Sequence, residues 1–282
     1  MKKVLWLSIV VLAIAVFAFA VQAQDKPAAP AAAPAAAPAV DTAMYDKLEG
    51  MIADAEATMK KVDNYTAIFH KQEWIGKKMW PEETVIFKFK NPFSVFMTWP
   101  QDPYKGRHTV IVKGRYNGKL CAREGSGFKK AMGSMCLDPT GSLAMEGNRH
   151  PATDAGMANL IKLIGAELRK GIKNKDMVAK DLGTEVLWGK STNKIEGVFP
   201  ADKVLGDAAK NNPAGYYASR AVVNFDPELK LPVRVMVYDK SGKLIENYGF
   251  EKIVLNPGLT ADDFDPAKIE FLEGCTSALT CK

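Results

Sequence analysis

The chain contains 282 residues, of which 47% are hydrophobic and 25% are charged, as is usual for a folded globular protein. Its 38 Lys and Arg residues and 32 Asp and Glu residues give a formal net charge of +6. This mild basicity does not indicate a nucleic-acid-binding protein, although it is compatible with contact with an anionic lipid headgroup.

Residues 1–23 have the three parts of a secretory signal peptide. Lys2 and Lys3 precede an apolar stretch from Val4 to Val21, and small residues precede a cleavage site after Ala23. Loss of the two lysines would lower the net charge from +6 to +4. The alternative is an uncleaved anchor, because about 18 apolar residues could just span a bilayer. We predict cleavage and a periplasmic protein that is peripheral to the membrane.

Residues 24–40 are predicted to form a tether. From Pro27 to Val40 they are almost entirely Ala and Pro, and a proline at every fourth position prevents a helix. Such a segment is extended and semi-rigid. No second linker follows, so residues 41–282 are predicted to form a single domain.

The remaining residues predict two helices and a series of strands. Apolar residues recur at helical spacing over residues 41–63, which indicates an amphipathic helix. A second helix is predicted to open at Thr153-Asp154 and to end near Gly171. The strand-like segments, rich in β-branched and aromatic residues, are 65–75, 84–90, 93–99, 109–113, 184–188, 216–225, 231–239 and 244–254.

Short connections between these segments favour antiparallel pairing. Asn117-Gly118 is the strongest hairpin signal, because both central positions of such a turn need a positive φ. In residues 85–90, lysine alternates with apolar residues, which predicts one wet and one dry face. We therefore predict the α+β class, with a large curved antiparallel sheet and helices gathered on one face.

Cys121, Cys136, Cys275 and Cys281 follow the predicted cleavage site. An even number of cysteines in an exported protein favours disulfides. Pairing of Cys121 with Cys136 and of Cys275 with Cys281 is preferred, because each pair brackets a short turn containing Gly or Ser. A metal site is the alternative, but the spacing is not that of a CxxC motif and the histidines are far apart in sequence. We predict neither a metal nor a cofactor.

No catalytic motif is present: there is no Gly-x-Ser-x-Gly elbow, glycine-rich phosphate loop or HExxH sequence. The carboxylates of residues 262–265 are predicted to belong to a capped surface turn. His150 precedes the second helix and is predicted to fix the loop by hydrogen bonds, with ligand contact or pH sensing as the alternative. His70 and His108 are predicted to face solvent or to be hydrogen-bonded.

The remaining candidate is apolar. A curved sheet can leave its concave face incompletely filled, so that helices cover a cavity suited to acyl chains. An ordinary packed core is the alternative. If a cavity exists, the residues predicted to contact acyl chains are Phe69, Phe87, Phe89, Phe96, Trp99, Leu160, Ile161 and Ile164.

Three blocks of sequence resemble the periplasmic lipoprotein-carrier superfamily typified by LolA, LolB and RseB, and more closely an uncharacterised exported bacterial family of that fold. They span both ends of the predicted domain. The first block is residues 62–65 and 67–72, and the second is residues 87–92 with Trp99 and the Asn117-Gly118-Lys119-Leu120 hairpin. The third is residues 224–227 and 231–232 with residues 239–242, Phe250 and residues 259–264.

The resemblance implies an incomplete, strongly curved β-barrel whose apolar cavity is covered by helices and receives lipid. The carrier family has an arginine implicated in lid closure where this chain has Asn91. An uncharged amide cannot make the contacts of a guanidinium, so the same latch is not expected. Residues 121–151 have no counterpart in the family and are expected to reshape the cavity mouth.

We therefore predict a non-enzymatic periplasmic carrier for an acylated ligand, either a lipoprotein or a lipid, with the second helix moving as a lid. One alternative is an envelope sensor or protein-interaction module with an envelope protein partner. The other is a hydrolase or isomerase whose site is assembled from His150, Arg149 and Asp154. No nucleic-acid partner is predicted.

Overall fold

The computed structural model describes residues 41–131, 133–266 and 268. The predicted signal peptide and tether lie outside the described residues, as do Cys275 and Cys281. The helices within these ranges are α1 (Thr42–Met59), α2 (Gly127–Ala131) and α3 (Met157–Asn174).

The strands of the described residues pair antiparallel in one sheet of twelve. The sheet order is β7-β6-β5-β4-β3-β1-β12-β11-β10-β9-β8, with β2 paired to one end of β1. Because β7 and β8 stand at opposite edges, the curved sheet is not closed into a barrel, and the predicted α+β class is confirmed. The strands are β1 (Asn64–Ile75), β2 (Lys78–Met79), β3 (Glu83–Lys90), β4 (Ser94–Thr98), β5 (His108–Val112), β6 (Leu120–Arg123), β7 (Met135–Leu137), β8 (Val178–Leu187), β9 (Lys190–Val198), β10 (Arg220–Asp226), β11 (Leu231–Tyr238) and β12 (Leu244–Leu255).

Side chains alternate between the two faces of the sheet. On β3, Val85, Phe87 and Phe89 are buried on the concave face, whereas Ile86 is exposed on the convex face. The period of two predicted for this segment is therefore confirmed.

Helices α1 and α3 lie together over the concave face. Asp41 caps α1, because its side chain accepts a hydrogen bond from a backbone N–H of the first turn. Arg169 of α3 forms ion pairs of 2.8 Å with both Glu49 and Glu56 of α1. These groups are partly exposed, so the pairs orient the two helices more than they stabilise them.

Two buried clusters lie between the sheet and the helices. One includes Leu168 of α3 and Val235 of β11, and the other includes Ile161 of α3 and Phe87 of β3. Leu160 packs against both clusters. The concave face is thus filled at two places rather than evenly.

The second helix begins later than Thr153-Asp154. These residues lie in a 3-10 turn, Ala152–Asp154, and Gly156 with a φ of +117° separates this turn from α3. A right-handed helix requires negative φ, so it can start only after Gly156. Thr153 and Asp154 therefore belong to the turn that precedes the helix, and not to the first turn of the helix itself.

Strands β2, β6, β7 and β9 were missed by the sequence pattern. The first three are short, and β9 is mainly polar, so no apolar alternation marks them. Conversely, Tyr216 and Tyr217 precede β10 instead of belonging to it, and Tyr216 forms an isolated parallel bridge with Val204. Aromatic content alone led to the wrong boundary there.

Both predicted turns are confirmed. Asn117 and Gly118 have φ values of 53° and 74° in the connection from β5 to β6. Thr260 and Asp263 form a capping box on the 3-10 turn Ala261–Phe264. The carboxylates of that turn thus have a local structural role.

Candidate ligand-binding cavity

A cavity of about 930 Å³ lies between the concave face of the sheet and the helices. This volume is near the upper end of the range usual for small-molecule sites. Its wall is mainly apolar and comes from both layers. The apolar lining includes Leu48, Ile52, Leu160, Ile164 and Leu168 from the helices and Phe69, Val85, Met97, Val223, Val235, Val237 and Phe250 from the sheet.

Helix α3 presents a continuous apolar stripe to the cavity. Leu160, Ile164 and Leu168 follow one another at intervals of four, which places them on one helix face. Leu163 also lines the cavity but is 48% exposed, so it lies where the cavity meets solvent. An apolar residue at an opening suits the entry of an apolar ligand.

The floor of the cavity is aromatic. Phe69 of β1 is half-buried, and its ring centroid is 4.8 Å from that of Phe250 and 5.9 Å from that of Tyr248. Phe87 lies behind it, with ring centroids 5.9 Å apart. One ring therefore faces the cavity while its neighbours hold it in place.

Four of the residues predicted to contact acyl chains line the cavity: Phe69, Trp99, Leu160 and Ile164. The structure thus brings together Phe69 of β1, Trp99 directly after β4 and two residues of α3, which are far apart in sequence. Whether they contact a ligand stays a prediction.

The other four predicted contacts are not among the residues that line the cavity. Phe87, Phe89 and Ile161 are buried in the second cluster beneath the cavity wall. Phe96 faces the convex side, where it packs with Val110 in a separate cluster. Residues 95 and 96 necessarily point to opposite faces, and the sequence did not show which was concave.

One wall of the cavity is polar and centres on Glu246, which is 3% exposed. Its Oε1 accepts hydrogen bonds from Arg149 Nε at 2.9 Å and from the Tyr217 hydroxyl, and it lies 3.0 Å from His150 Nε2. A buried carboxylate needs such partners, because desolvation of a charge is costly.

The same wall continues through Glu73 and Glu83, which are 2% and 5% exposed. Glu73 accepts hydrogen bonds from the Tyr248 hydroxyl and, at 2.9 Å, from the Arg149 backbone N–H. Lys71 Nζ lies 3.4 Å from Glu73 and 3.2 Å from Glu83. We call Lys71, Glu73, Glu83, Tyr217, Glu246 and Tyr248 the polar wall.

The protonation states of the polar wall follow from these contacts. Burial alone would raise the pKa of Glu246, but the contacts with His150 and Tyr217 and the charge of Arg149 outweigh it and lower this pKa. Burial and the neighbouring Glu246 raise the pKa of Tyr217. Burial, Glu246 and Glu73 likewise raise the pKa of Tyr248. The Glu246 carboxylate is thus an anion held by the neutral Tyr217 phenol and the Arg149 guanidinium.

Residues 138–156, which connect β7 to α3, cross the cavity mouth, and we call them the strap. Lys71 Nζ donates to the Gly147 carbonyl at 3.2 Å and to Asn148 Oδ1 at 2.5 Å. Arg149 and His150 reach Glu246, as described above. Several strap residues, among them Ala144 and Ala152, line the cavity. The strap overlaps residues 121–151, for which the sequence predicts a role at the mouth, and that role stays a prediction.

Sequence reasoning missed the polar wall. A usable signal exists, because the period of two places Lys71 and Glu73 on the same face as Phe69. Charges at inward positions of a strand require partners, and the partners come from a loop about 75 residues away in sequence. A local spacing pattern cannot predict a contact between residues that are so far apart in sequence.

The three residues proposed for an assembled hydrolytic site are only partly brought together. Arg149 and His150 both contact Glu246, whereas Asp154 is exposed and has no contact with them among the described residues.

Among the residues that the structure describes, no group of three His, Cys, Asp or Glu side chains is placed to hold a metal ion. Within the described ranges, none of the helices combines the length and apolarity needed to cross a bilayer.

The disulfide expected between Cys121 and Cys136 is not formed. The residues are direct neighbours on β6 and β7, but their Sγ atoms are 3.8 Å apart, far beyond the roughly 2.05 Å of an S–S bond.

Asn91 does not line the cavity. Its side-chain amide donates a hydrogen bond of 2.7 Å to the Val62 carbonyl, in the connection between α1 and β1. This contact links the β3–β4 connection to the end of α1.

Several solved structures are similar in fold. The lipoprotein LppX of Mycobacterium tuberculosis is 15% identical with a TM-score of 0.44, and the match covers 78% of this chain and 98% of that chain. LprF of Mycobacterium bovis is 10% identical with a TM-score of 0.45, covering 76% and 95%. A putative outer membrane lipoprotein-sorting protein domain from Vibrio parahaemolyticus is 10% identical with a TM-score of 0.36, covering 79% and 98%.

These scores and identities are too low for a function to be carried over. No protein with a curated description matches the chain. The family described as Protein of unknown function (DUF1571) matches residues 62–271, which is most of the chain. The chain is thus a member of the DUF1571 family.

Proposed function

We propose that this protein is an exported, periplasmic carrier that holds an acylated ligand, a lipoprotein or a lipid, in the cavity between the sheet and the helices. The observation that carries the proposal is the mainly apolar space of about 930 Å³ between the sheet and the helices. In a protein with an ordinary packed core, side chains would fill this space. Protein interiors are normally close-packed, so a hollow of this size calls for an occupant.

The energetics suit an acyl chain. Each buried methylene contributes about 0.8 kcal/mol, so ten methylenes would contribute about 8 kcal/mol before the entropy of binding is subtracted. Phe69 and the stripe of Leu160 and Ile164 face each other across the space and would pack against the chain. No covalent step is needed, and the proposed activity is therefore binding rather than catalysis.

Entry would require the cover to move. Both α3, which was predicted to act as a lid, and the strap border the opening, where Leu143 and Leu163 are 57% and 48% exposed. The strap is held by side-chain hydrogen bonds to the polar wall, whereas α3 is held by apolar packing and by the pairs of Arg169. Displacement of either segment would open a path to the floor.

The test compares Phe69→Ala with Phe96→Ala, using a pyrene-labelled monoacylglycerol as probe. Phe69→Ala should weaken binding about tenfold, because the loss of ring contact is worth about 1.5 kcal/mol. Phe96→Ala should destabilise the fold by about 3–5 kcal/mol without changing probe affinity, because its ring is on the convex face. Equal probe affinity for the wild type and Phe69→Ala would contradict the proposal.

A protein-interaction module is the second candidate, and one observation favours it. Strand β8 is an edge of the sheet, and its Leu182 and Val186 are 44% and 72% exposed. Exposed edges of this kind can pair with a strand of a partner. Capture of an envelope protein that is unaffected by Phe69→Ala would favour this candidate.

A further inference from the structure

Three connections of the sheet border the cavity at the same end, and we call them the rim loops. They are residues 76–82, residues 99–107 and residues 124–134, which follow β1, β4 and β6. The antiparallel register from β1 to β7 places all three at one end of the sheet. Each rim loop also contributes to the lining of the cavity, through Trp80, Tyr104 and Glu124 respectively.

The second and third rim loops are tied to each other. Arg107 Nε donates a hydrogen bond to Glu124 Oε2 at 3.0 Å. The backbone of Gly125 lies so close to the second loop that a Cβ at this position would be 1.9 Å from the Lys105 carbonyl oxygen. The two loops therefore form one continuous surface.

This surface exposes an aromatic ring beside the cavity. Phe128 of α2 is 82% exposed, the highest value for a large apolar residue in the described ranges, and it follows the cavity-lining Glu124 by four positions. A single exposed apolar residue is common and needs no explanation by itself. Leu143 and Leu163, however, line the same cavity and are also more than a third exposed. Exposed apolar groups thus accompany the opening.

The rim loops are also basic. By sequence they contain six Lys or Arg residues and three Asp or Glu residues, a net charge of +3. Two of these charges, Arg107 and Glu124, neutralise each other as described above. The lysines that are exposed and form no ion pair with any residue that the structure describes are Lys77, Lys78, Lys105 and Lys130.

The other segments at this end do not share this basic surplus to the same degree. Residues 239–243 contain one acidic residue and two lysines, and residues 199–219 contain two of each. The strap contains three acidic residues and one arginine. An anionic surface would therefore be met by the rim loops rather than by the strap.

We propose that the rim loops dock on an anionic phospholipid bilayer, with the Phe128 ring among the headgroups and the exposed lysines beside anionic lipids. Aromatic and basic residues together are typical of interfacial membrane contacts, and each lysine near such a surface strengthens binding about fivefold. Docking brings the mouth of the cavity to the membrane, so that an acyl chain passes between bilayer and cavity with little exposure to water. This purpose rests on the proposed carrier function, whereas docking itself does not.

The experiment measures co-sedimentation with vesicles of phosphatidylcholine, with or without phosphatidylglycerol. It uses the exported form without residues 1–23, because the apolar residues 4–21 would bind lipid by themselves. The protein should bind the anionic vesicles about tenfold more tightly or better, and the difference should shrink at high salt because salt screens the attraction. No binding to anionic vesicles, or equal binding to both kinds, would overturn the inference.

The same protein is tested for binding of the pyrene-labelled monoacylglycerol in solution. Probe binding without vesicle binding would overturn the docking surface and leave the carrier function standing. Vesicle binding without probe binding would support the docking surface and contradict the carrier function.

Two variants with matched controls locate the surface. Phe128→Ser should weaken binding to anionic vesicles about tenfold, whereas Val186→Ser, at the opposite edge of the sheet and 72% exposed, should not. Lys130→Gln should weaken it about fivefold, whereas Lys113→Gln, in the connection at the other end of β5, should not. All four should bind the probe in solution as the wild type does. Unchanged vesicle binding of Phe128→Ser, or equal losses in a variant and its control, would overturn the inference.

Discussion

Two parts of the concave face lie on the same pair of strands and have opposite chemistry. Phe69 of β1 is paired with Phe250 of β12, and four residues further along β1, Glu73 is paired with Glu246. The aromatic pair is stable by itself, because apolar side chains need only be packed. Two like charges directly opposite each other are destabilising unless other groups compensate.

The compensation comes from outside the two strands. Arg149 and His150 of the strap contact Glu246, and the Arg149 backbone N–H contacts Glu73. The aromatic floor is thus a property of the sheet, whereas the polar wall exists only when the strap is docked. We therefore expect single substitutions in the polar wall to lower the free energy of unfolding more than substitutions of exposed charges elsewhere on the sheet.

The largest effect is expected for Glu246→Ala. It would leave Arg149 and His150 without their carboxylate, so we expect the free energy of unfolding to fall by about 3–5 kcal/mol. Urea denaturation measures this change. Glu251→Ala is the matched control, because Glu251 lies on the same strand but pairs with His70 on the convex face, and we expect a loss of about 1 kcal/mol or less. Similar losses for the two variants would contradict the proposed difference between the faces.

A smaller effect is expected where the strap passes Trp80. Gly147 has a φ of +74°, and a Cβ at this position would lie 2.9 Å from Trp80 Cζ3. Gly147→Ala should therefore cost about 1–2 kcal/mol for the backbone conformation, and the ring contact adds to that cost. Release of the pyrene-labelled probe should also become faster, because the strap would dock less tightly.

The control for this variant is Gly114→Ala. Gly114 has a similar φ of +77°, but a Cβ at this position would meet no atom within 4 Å. The two variants share the backbone strain, so the difference between their stabilities isolates the contact with Trp80. If Gly114→Ala accelerated probe release equally, the strap would not be the segment that controls exit.

The smallest effect is a pH dependence that arises away from the polar wall. Burial, helped by the charge of Arg123, lowers the pKa of His108 to about 4. Protonation therefore favours the unfolded chain, and the free energy of unfolding should fall as the pH drops from about 6.5 towards 4. Denaturation at several pH values should show this slope in the wild type and a weaker slope in His108→Gln. An identical slope would show that other groups dominate.

Local features of this fold could be predicted from the sequence. The period of two in β3, the turn at Asn117-Gly118 and the capping box at Thr260 depend on residues only a few positions apart, so their chemistry is readable in a short window. Phe69, Trp99, Leu160 and Ile164 line the cavity, because an amphipathic helix and an alternating sheet each expose one apolar face, and their contact with a ligand stays a prediction.

The site itself depends on contacts between distant segments. Which face of β4 is concave decided that Met97 lines the cavity and Phe96 does not, and alternation alone is symmetric between the two choices. The partners of Glu73 and Glu246 come from the strap, which no local pattern connects to β1 or β12. Sequence by itself determined the class of α1, α3 and the strands with a clear apolar pattern. Only the tertiary structure decided which charges meet and where space remains, because burial and compensation are properties of the folded chain.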